Sequence, residues 1–596
     1  MKIKYTDILV PIFLTGIVIL NIFPVFPKFD KLMNNDDFLQ FAARHHIARE
    51  TVLQSHQVPL RTHFLGGGFP TAGDPDDPSL SPLLIFTLVF GEVAGLKLMA
   101  LMLLLTGTLA MYYFLRRWYS YTVAGAVFAS AVLCSCTWFP IRFLGGNINE
   151  MYYYLFPLVL YIFELYVNNG RKYLILLAAV LALLVFDGKF VFPSTILFLC
   201  IYSFIRSAGR KDGKFCVNYA YPKKAVVAAI FAVLLGAVKI VLVLDLFSIQ
   251  GSMMYPVVKI HGKVYSADTI KAMNVNKLSN IACIDKTEIF KTENLSCHVG
   301  IIPVLITLLS LFLYKKVYHW VILLVPAFML SAAWTLPVDI FKPLWHLPWM
   351  NAMTMPAKYF NFFIVFSISA ISGAGVSYFS GKVSEVISKE IVNAILGVVF
   401  VLSIIPLMSF TYEYFNATEF VAPPEPAHGG EFYHAALLDK RDSVYLYDNT
   451  CKNVGTKNWY GPVLLQEYVV PKMFYKITGE SVEKIVNDAY IGEAFFIEDK
   501  SQNVADITTL TANIIVVSVK IDSPGTLVLN HNYFKYWSVN KGVIQNFKGL
   551  LAVKLDTTGT YDVEFNYRNV KATIGFVVSG LAFIFLLITK YYQKPK

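Results

Sequence analysis

Residues 391–410 read IVNAILGVVFVLSIIPLMSF, an apolar stretch without a charged side chain. A helix needs about 20 such residues to cross the hydrocarbon core of a bilayer. Comparable apolar runs lie near 7–27, 97–115, 121–139, 151–167, 173–187, 190–205, 224–246, 300–314, 317–333, 357–379 and 572–590. The sequence therefore predicts a polytopic α-helical membrane protein with about twelve spans.

The composition of the whole chain agrees with that prediction. Its 596 residues are 56% hydrophobic and 15% charged, with a mean hydropathy of +0.54. Soluble domains carry about 25% charged residues, so a soluble globular protein and a disordered chain are both excluded. The formal net charge of +11 would suit a nucleic-acid partner, but basic loops on the cytoplasmic side of a membrane explain it more simply. We expect no nucleic-acid partner.

Basic residues recur at every second junction between the apolar runs. They are Lys2, Lys4, Arg116, Arg117, Arg171, Lys172, the tract from Arg206 to Lys224, Lys315, Lys316, Lys382, Lys389, Lys590, Lys594 and Lys596. Such residues remain in the cytoplasm when a membrane protein is inserted. We therefore expect a multi-pass protein of the cell membrane with both termini in the cytoplasm. The segments 28–96, 247–299, 334–356 and 411–571 are then extracytoplasmic.

The composition changes after residue 410. Four segments alternate apolar and polar residues or are rich in β-branched residues, and turn sequences separate them: Asn513–Asp522, Gly525–Leu529, Gly549–Asp556 and Thr560–Tyr567. This pattern predicts an extracytoplasmic antiparallel β-sandwich. The chain then divides into a transmembrane domain (1–410), a β-rich domain (411–571) and a last span with a cytoplasmic tail (572–596).

Two of the seven cysteines, Cys283 and Cys297, lie in the same outer segment. They can form a disulfide there, and two unpaired thiols agree equally well with the sequence. Cys216 lies in a basic cytoplasmic loop, where its thiol should stay reduced.

The first outer segment, 28–96, carries most of the side chains suited to chemistry. A helical pattern begins within the run NNDD at residues 34–37. Asn35 is expected to cap this helix, and the two aspartates in its first turn would interact favourably with the helix dipole. At helical spacing, Asp37, His45 and Arg49 share one face and bring an acid, an imidazole and a guanidinium together. Capping and dipole interactions alone would also account for the aspartates.

Glycines and acidic residues follow in the same segment. Gly67 and Gly68, within a run of three glycines, allow the backbone to approach a ligand closely. Asp74, Asp76 and Asp77 can hold a divalent cation through oxygen ligands, although a solvated turn is the simpler explanation. The four histidines of the segment have no standard zinc spacing; they are His45, His46, His56 and His63.

Taken in order along the chain, these features resemble bacterial YfhO-type membrane proteins, which are relatives of the GT-C glycosyltransferase superfamily. The resemblance includes the acidic pair, the Gly-Gly-Gly-Phe-Pro stretch at 66–70, the Asp-Pro run at 74–78 and Ser-Pro-Leu at 81–83. It continues through 107–117 and 355–359, where Lys358 stands where arginine is usual, and through 532–537 and 559–567 near the end. Residues 120–330 match only as a pattern of spans.

The resemblance implies an integral membrane glycosyltransferase. Such an enzyme takes a sugar from a polyprenyl-phosphate carrier and transfers it to a cell-envelope acceptor on the outer face of the membrane. An acidic residue of the first outer segment would act as general base for the acceptor hydroxyl, and Asp36 and Asp37 both match that position. Direct displacement by the acceptor would invert the anomeric centre.

The resemblance also suggests roles for further residues. A lipid phosphate needs cationic partners as charge develops on it, and the candidates are Lys358, Arg61, Arg49 and Lys189. Candidates for the acceptor or loop site are His45, His63, Gly67 and Gly68. No cofactor is certain: the acidic residues themselves leave a divalent cation at Asp74, Asp76 and Asp77 open, and many enzymes that use polyprenyl-phosphate sugars need no metal. The expected partners are membrane lipid, a lipid-linked sugar donor, and a glycan, glycolipid or protein acceptor.

Two other functions fit the same layout. Twelve spans with both termini in the cytoplasm are common among transporters, so a transporter or flippase of a lipid-linked saccharide is the first. The sequence shows no internal repeat of the kind that transporters often have. The second is a non-catalytic relative that acts as a scaffold, with the β-rich domain as a binding module.

Overall fold

The computed structural model describes residues 6–211, 214–250, 258–260, 263–265, 297–333, 336–338, 340–344, 353, 356–425, 431–438, 443–458, 468–478, 481–497 and 503–591. The described residues up to 417 are mainly helical, and those from 431 to 567 are mainly in β-strands. An apolar helix follows. The chain therefore has the predicted class, an α-helical membrane protein with a β-rich region before its last apolar helix.

The helical part contains α-helices of very different lengths. They are α1 (Thr6–Ile22), α2 (Asp36–Leu53), α3 (Ile85–Phe90), α4 (Glu92–Trp118), α5 (Val123–Ser135), α6 (Trp138–Leu144), α7 (Phe156–Asn169), α8 (Leu174–Asp187), α9 (Val191–Ser207), α10 (Ala220–Leu235), α11 (Ala237–Gln250), α12 (Ile301–Ser310), α13 (Tyr314–Ala332), α14 (Phe341–Leu344), α15 (Pro356–Val383) and α16 (Lys389–Ala417). Short 3₁₀ helices lie at Phe23–Lys28, Thr71–Gly73, Pro82–Leu84, Ile148–Leu155, Arg171–Tyr173 and Leu311–Leu313.

Seven helical segments among the described residues are long and apolar enough to cross a membrane. They are Ile8–Lys28, Glu92–Trp118, Val123–Leu144, Ile301–Ala332, Pro356–Val383, Lys389–Ala417 and Val570–Lys590. An eighth arises if α10 and α11, bent by 70° at Gly236, form one span. Helices α7, α8 and α9 have only 14, 14 and 17 residues. The total of twelve spans and the extracytoplasmic side therefore stay predictions.

The segment Ile301–Ala332 is a hairpin, so the predicted runs 300–314 and 317–333 are separate arms. Three contacts with α15 demonstrate the reversal, namely Thr307 with Ile368, Lys316 with Tyr378, and Ser331 with Asn361. From Lys316 to Ser331, α13 runs from the end of α15 back towards the beginning of α15. Helix α12, which comes before α13 in the chain, packs beside the middle of α15. The chain therefore turns back at the 3₁₀ helix Leu311–Leu313, next to the basic pair at 315–316.

Two antiparallel sheets form the predicted β-sandwich. One has the strand order β11-β14-β17-β16 and the other β12-β13-β18-β15. Their inner faces share one apolar core, in which Val517, Leu527, Val553 and Phe565 are fully buried. The strands are β11 (Ala494–Phe496), β12 (Val504–Leu510), β13 (Ile514–Ile521), β14 (Gly525–Asn532), β15 (Trp537–Val539), β16 (Val543–Phe547), β17 (Leu550–Leu555) and β18 (Gly559–Tyr567). All four predicted strands are confirmed, and α18 (Val570–Tyr591) follows.

A mixed sheet that the sequence did not predict precedes the sandwich. Its order is β10-β9-β7-β8, with β7 parallel to both neighbours, and α17 (Ser443–Cys451) lies between β7 and β8. Its strands are β7 (Tyr433–Leu437), β8 (Val454–Thr456), β9 (Met473–Thr478) and β10 (Ser481–Val486). The Gly66 N–H donates to the Thr456 carbonyl at 2.8 Å. The first long segment between helices therefore packs against the β-rich region.

Three two-stranded ladders complete the described strands. They are β1 (Leu32–Met33) with β6 (Phe420–Val421), β2 (Ala208–Lys211) with β3 (Lys214–Val217), and β4 (Val258–Ile260) with β5 (Lys263–Tyr265). Cys216 is exposed and Cys297 is buried. The thiol of Cys297 is free, which agrees with the alternative of two unpaired thiols, and Cys283 lies outside the described residues.

Helices α5 and α15 cross with their backbones in close contact. A Cβ on Gly373 of α15 would lie 2.7 Å from the Gly125 carbonyl oxygen and 2.7 Å from the Ala129 Cβ. Small residues allow such close approach between membrane helices. By contrast, a Cβ on Gly381, two turns later in α15, would have no neighbour within 4 Å.

We expect Gly373→Ala to destabilise the protein and Gly381→Ala to leave its stability unchanged or slightly higher. The first change overpacks a helix crossing, which typically costs about 1–3 kcal/mol. The second only replaces glycine by a better helix former, a gain of roughly 0.5–1 kcal/mol. Thermal unfolding of both variants in detergent measures the difference, and equal unfolding temperatures would contradict the close crossing.

Candidate functional site

The site lies where the first turn of α2 meets the segment between α6 and α7. Asn35 caps α2 as predicted, because its Oδ1 accepts a hydrogen bond from the Phe38 N–H at 2.8 Å. Its side-chain amide donates to the Leu144 carbonyl at 2.7 Å. Gly146, with φ +74°, lies so close that an added Cβ would overlap the Asn35 Oδ1 and the Phe38 nitrogen. These contacts fix the start of α2 against the α6–α7 segment.

The two predicted catalytic aspartates have different surroundings. Asp36 is exposed, whereas Asp37 is partly buried. Burial raises the pKa of the Asp37 carboxyl above its usual value, and the negative charge of Asp76 adds to the rise. Three cations oppose it, namely Lys358, Lys189 and Arg142. Asp37 is therefore a partly buried carboxyl in the field of three cations.

Lys358, in the first turn of α15, is held by the α6–α7 segment. Its Nζ lies 3.2 Å from Glu150 Oε1 and also donates to the Asn147 Oδ1. The other oxygen of Glu150 forms an ion pair with Arg142 Nε at 3.1 Å. The side chains of Arg142 and Glu150 are 1% and 5% exposed, but that of Lys358 is 16% exposed. Lys358 therefore lies at the edge of this cluster, where a ligand can reach it.

Lys189, between α8 and α9, is the second partly exposed cation of the site. Its Nζ lies 3.0 Å from Asp76 Oδ2, and its side chain is 20% exposed. Asp76 also accepts a hydrogen bond from the Asn149 amide at 3.3 Å, and its backbone N–H donates to Asp74 Oδ1 at 2.9 Å. Burial by itself would raise the pKa of Asp76, but Lys189 and Arg44 outweigh it and hold the pKa below its usual value.

The acidic run at 74–78 is largely buried and is therefore not a solvated turn. Arg44 pairs with Asp74 at 2.9 Å, and both side chains are 1% exposed. Lys239 of α11 donates to the backbone carbonyls of Asp74 and Asp77 at 2.6 and 2.8 Å. Burial raises the pKa of the Asp77 carboxyl. No group of three metal-ligating side chains occurs in the described part of the chain, so a divalent cation at Asp74, Asp76 and Asp77 stays a prediction.

Four predicted site residues lie at the contact with the β-rich region, namely Arg61, His63, Gly67 and Gly68. The Arg61 guanidinium lies 4.7 Å from the centre of the Trp537 ring. The His63 ring packs 5.0 Å from that of Phe432, and burial lowers the pKa of His63 to about 3. The Gly67 carbonyl accepts a hydrogen bond from the Asn532 N–H at 2.7 Å. These contacts support the loop, and the predicted roles of the four residues in binding stay predictions.

His45 and Arg49 follow Asp37 along α2. His45 is buried, and its Nδ1 lies 3.1 Å from the Thr87 hydroxyl. Burial lowers the pKa of His45 to about 3, so its imidazole is neutral at ordinary pH. Arg49 is partly buried. Their predicted roles at the acceptor and the phosphate are untested.

Sequence reasoning missed the α6–α7 segment altogether. The missed residues are Asn147, Asn149 and Glu150 of this segment, and Arg142 in the last turn of α6 before it. A signal was present, because these polar residues surround a Gly-Gly pair at 145–146 in a short stretch between two apolar runs. Charge in such surroundings is costly, so it normally faces a partner or a functional site.

Comparisons with known proteins give a distant likeness only. No family model matches the chain, and no curated protein matches its sequence. Among solved structures, the arabinofuranosyltransferase AftD from Mycobacteria is 12% identical with a TM-score of 0.45, over 72% of this chain and 29% of AftD. The oligosaccharyltransferase AglB from Archaeoglobus fulgidus, in complex with an inhibitory peptide and a dolichol-phosphate, is 12% identical with a TM-score of 0.45, over 76% of this chain and 64% of AglB.

The chain thus spans less than two thirds of the length of either structure. A likeness of this degree concerns the arrangement of the fold and assigns no reaction. Substrates and chemistry have to be argued from the side chains around Asp37.

We expect Gly146→Ala to destabilise the protein more than Gly170→Ala. Both glycines have positive φ, +74° and +100°, and Gly170 also has ψ 176°, a conformation that other residues rarely adopt, so both variants carry a backbone cost of about 1–3 kcal/mol. A Cβ on Gly146 additionally overlaps the first turn of α2, whereas a Cβ on Gly170 has no neighbour within 4 Å. Thermal unfolding in detergent measures the free energy of unfolding lost in each variant. A loss in Gly146→Ala no larger than the backbone cost of about 1–3 kcal/mol would contradict the packing of α2 on the α6–α7 segment.

Proposed function

We propose that the protein is an integral membrane glycosyltransferase that transfers a sugar from a polyprenyl-phosphate donor to a cell-envelope acceptor. The observation that carries this proposal is the partly buried carboxyl of Asp37 in the field of two partly exposed lysines, Lys358 and Lys189. Glycosyl transfer from a lipid phosphate needs a base for the acceptor and positive charge for the leaving group. Asp37 and the two lysines supply both. This class of enzyme is also the one that the sequence resemblance implies.

Asp37 is the general base in this scheme. Its carboxylate takes the proton of the acceptor hydroxyl while the hydroxyl oxygen forms a bond to the anomeric carbon of the sugar. The bond from that carbon to the phosphate oxygen breaks, and its electron pair stays on the lipid phosphate. This single displacement inverts the anomeric centre. We favour Asp37 over the exposed Asp36 because Asp37 is partly buried, and a carboxylate whose pKa is raised by burial is the stronger base.

Lys358 and Lys189 bind the donor phosphate. Each ammonium is a compact point charge and does not offer the two parallel hydrogen bonds of an arginine. Two lysines from different segments, one in α15 and one between α8 and α9, compensate for this by contacting the phosphate from two directions. Arg61 and Arg49 remain predicted alternatives that this scheme does not require.

The proposed lipid-linked donor places the reaction at the membrane surface. Its hydrocarbon chain lies in the bilayer beside the apolar helices, so its phosphate is held at the membrane surface, near the first turn of α15. We propose that this surface is extracytoplasmic, with both termini on the opposite side. A glycan, a glycolipid and a protein hydroxyl are all acceptors of the required chemistry.

We expect Asp37→Asn to lower sugar transfer by about 10²–10⁴-fold, which is the usual contribution of a general base. Asp36→Asn is the matched comparison, because it removes the same charge from the neighbouring, exposed position. It should keep most of the activity. Transfer to a labelled acceptor in detergent or in vesicles provides the measurement. Unchanged transfer in a folded Asp37→Asn variant would exclude Asp37 as the base.

The pH dependence of transfer gives a second test. A general base must be deprotonated, so activity falls as the pH drops through the pKa of Asp37. Because burial raises this pKa, the acid limb of kcat/KM should lie above the ordinary aspartate value of about 3.9. An acid limb at or below that value would contradict the assignment.

One structural feature favours transport of a lipid-linked saccharide as the second candidate. Transporters often use discontinuous helices, and α10 and α11 are bent by 70°. However, Lys239 of α11 donates to the carbonyls of the acidic run, so the bend also has a local role in holding this run. Movement of a lipid-linked saccharide between leaflets, without any sugar transfer by the wild-type protein, would support transport over catalysis. Absence of both activities would favour a scaffold.

A further inference from the structure

Glu150 connects a buried cation to a partly exposed one. Its Oε2 pairs with Arg142 Nε at 3.1 Å, and its Oε1 pairs with Lys358 Nζ at 3.2 Å. The Arg142 side chain is almost fully buried, so its guanidinium is inaccessible to a ligand. A buried carboxylate requires a compensating cation, and Arg142 already provides one. Because Arg142 balances the charge of Glu150, the positive charge of Lys358 is not neutralised by Glu150.

The ammonium of Lys358 is also held in place. An ammonium has three N–H donors. In the described part of the chain, Asn147 accepts a hydrogen bond from this group and Glu150 Oε1 lies 3.2 Å away as its ion-pair partner, which leaves at least one donor for a ligand. Asn147 is itself fixed, because its amide donates to the Gly145 carbonyl at 2.9 Å. Lys358 thus presents a charge in a defined position, although its four-carbon stem is flexible.

We propose that Glu150 and Asn147 are positioning residues that hold the Lys358 ammonium at the partly exposed edge of the site, while Arg142 compensates the charge of Glu150 and leaves that of Lys358 for the donor phosphate. This inference rests on the proposed function, and it adds a group of residues that never touch the substrate. It also accounts for the lysine where the resemblance leads one to expect arginine. A lysine fixed by two oxygens loses less freedom on binding the phosphate, as a preorganised group does.

A double-mutant cycle tests the inference on the dissociation constant of farnesyl phosphate, measured with the purified full-length protein in detergent. The cycle compares wild type, Glu150→Gln, Lys358→Met and the double variant. Each single change should weaken binding roughly tenfold, the scale of one charge-assisted hydrogen bond. If Glu150 acts through Lys358, the double variant should bind no more weakly than Lys358→Met alone.

The same helix provides a matched control. Lys382, in the last turn of α15, forms an exposed pair with Glu385. Lys382→Met removes the same charge from the same helix, far along the chain from the site, and should leave the dissociation constant unchanged.

Asn147→Ala provides a second cycle in case Glu150→Gln fails to fold. Glu150→Gln leaves Arg142 buried without its anion, which is destabilising. Asn147→Ala leaves the Arg142–Glu150 pair intact and removes the other acceptor of Lys358. It should also weaken farnesyl phosphate binding, and the effect should again vanish in the Lys358→Met background.

The outcomes separate this inference from the proposed function. Additive effects in the cycles, or unchanged binding in folded Glu150→Gln and Asn147→Ala variants, would overturn the positioning role while leaving the proposed function intact. A wild-type protein that neither binds farnesyl phosphate nor transfers sugar would overturn the proposed function, and the positioning role with it. Non-additive losses with normal binding by Lys382→Met would support both.

Discussion

Charge compensation among buried side chains is the constraint on which the site depends. Asp74 is paired with Arg44, Asp76 with Lys189, and Glu150 with both Arg142 and Lys358. Each carboxylate loses its hydration on burial, and removing one partner of such a pair typically costs about 3–5 kcal/mol. The partners come from different elements of the chain. Their pairing therefore holds the segment after α1 against the helices and brings α15 to the same place.

Asp37 differs from those carboxylates. It forms no ion pair within the part of the chain that the structure describes, although three cations act on it from a distance. Its affinity for a proton is therefore set by burial and by the surrounding field rather than by one fixed partner. This is the situation in which a carboxylate can act as a base and still release its proton afterwards. The paired carboxylates Asp76 and Glu150 instead hold the side chains of Lys189 and Lys358.

The β-rich region supports the segment that carries the site. Arg61 packs on Trp537, and backbone hydrogen bonds join Gly66 to Thr456 and Gly67 to Asn532. The acidic run follows directly after this supported stretch. Its position therefore depends on the β-rich region on one side and on Arg44 and Lys239 on the other. A functional loop held from both sides can keep charged groups in a defined geometry, which a free loop cannot.

The sequence by itself determined whatever depends on local patterns. Apolar runs predicted the long helices, alternation predicted the four sandwich strands, and the residue type before Asp36 predicted the cap by Asn35. These three predictions succeed because capping and one-sided burial depend on residues only a few positions apart. The apolar runs also located the shorter helices α7 to α9, whose role as membrane spans stays a prediction. The mixed sheet was not predicted, because strands such as β7 and β8 have only five and three residues and carry little alternation.

Only the tertiary structure decided how the site residues meet. Asp37, Asp76, Lys189 and Lys358 were each named from the sequence, but nothing in their spacing brought them together, and helical spacing placed Asp37 with His45 and Arg49 without showing that Asp37 is partly buried and Asp36 exposed. Glu150 was missed, because its partner Lys358 is 208 positions away in the chain. Ion pairs of this kind arise when helices distant in sequence pack side by side and bury opposite charges. Their energy depends on three-dimensional proximity and burial, which the local sequence does not encode.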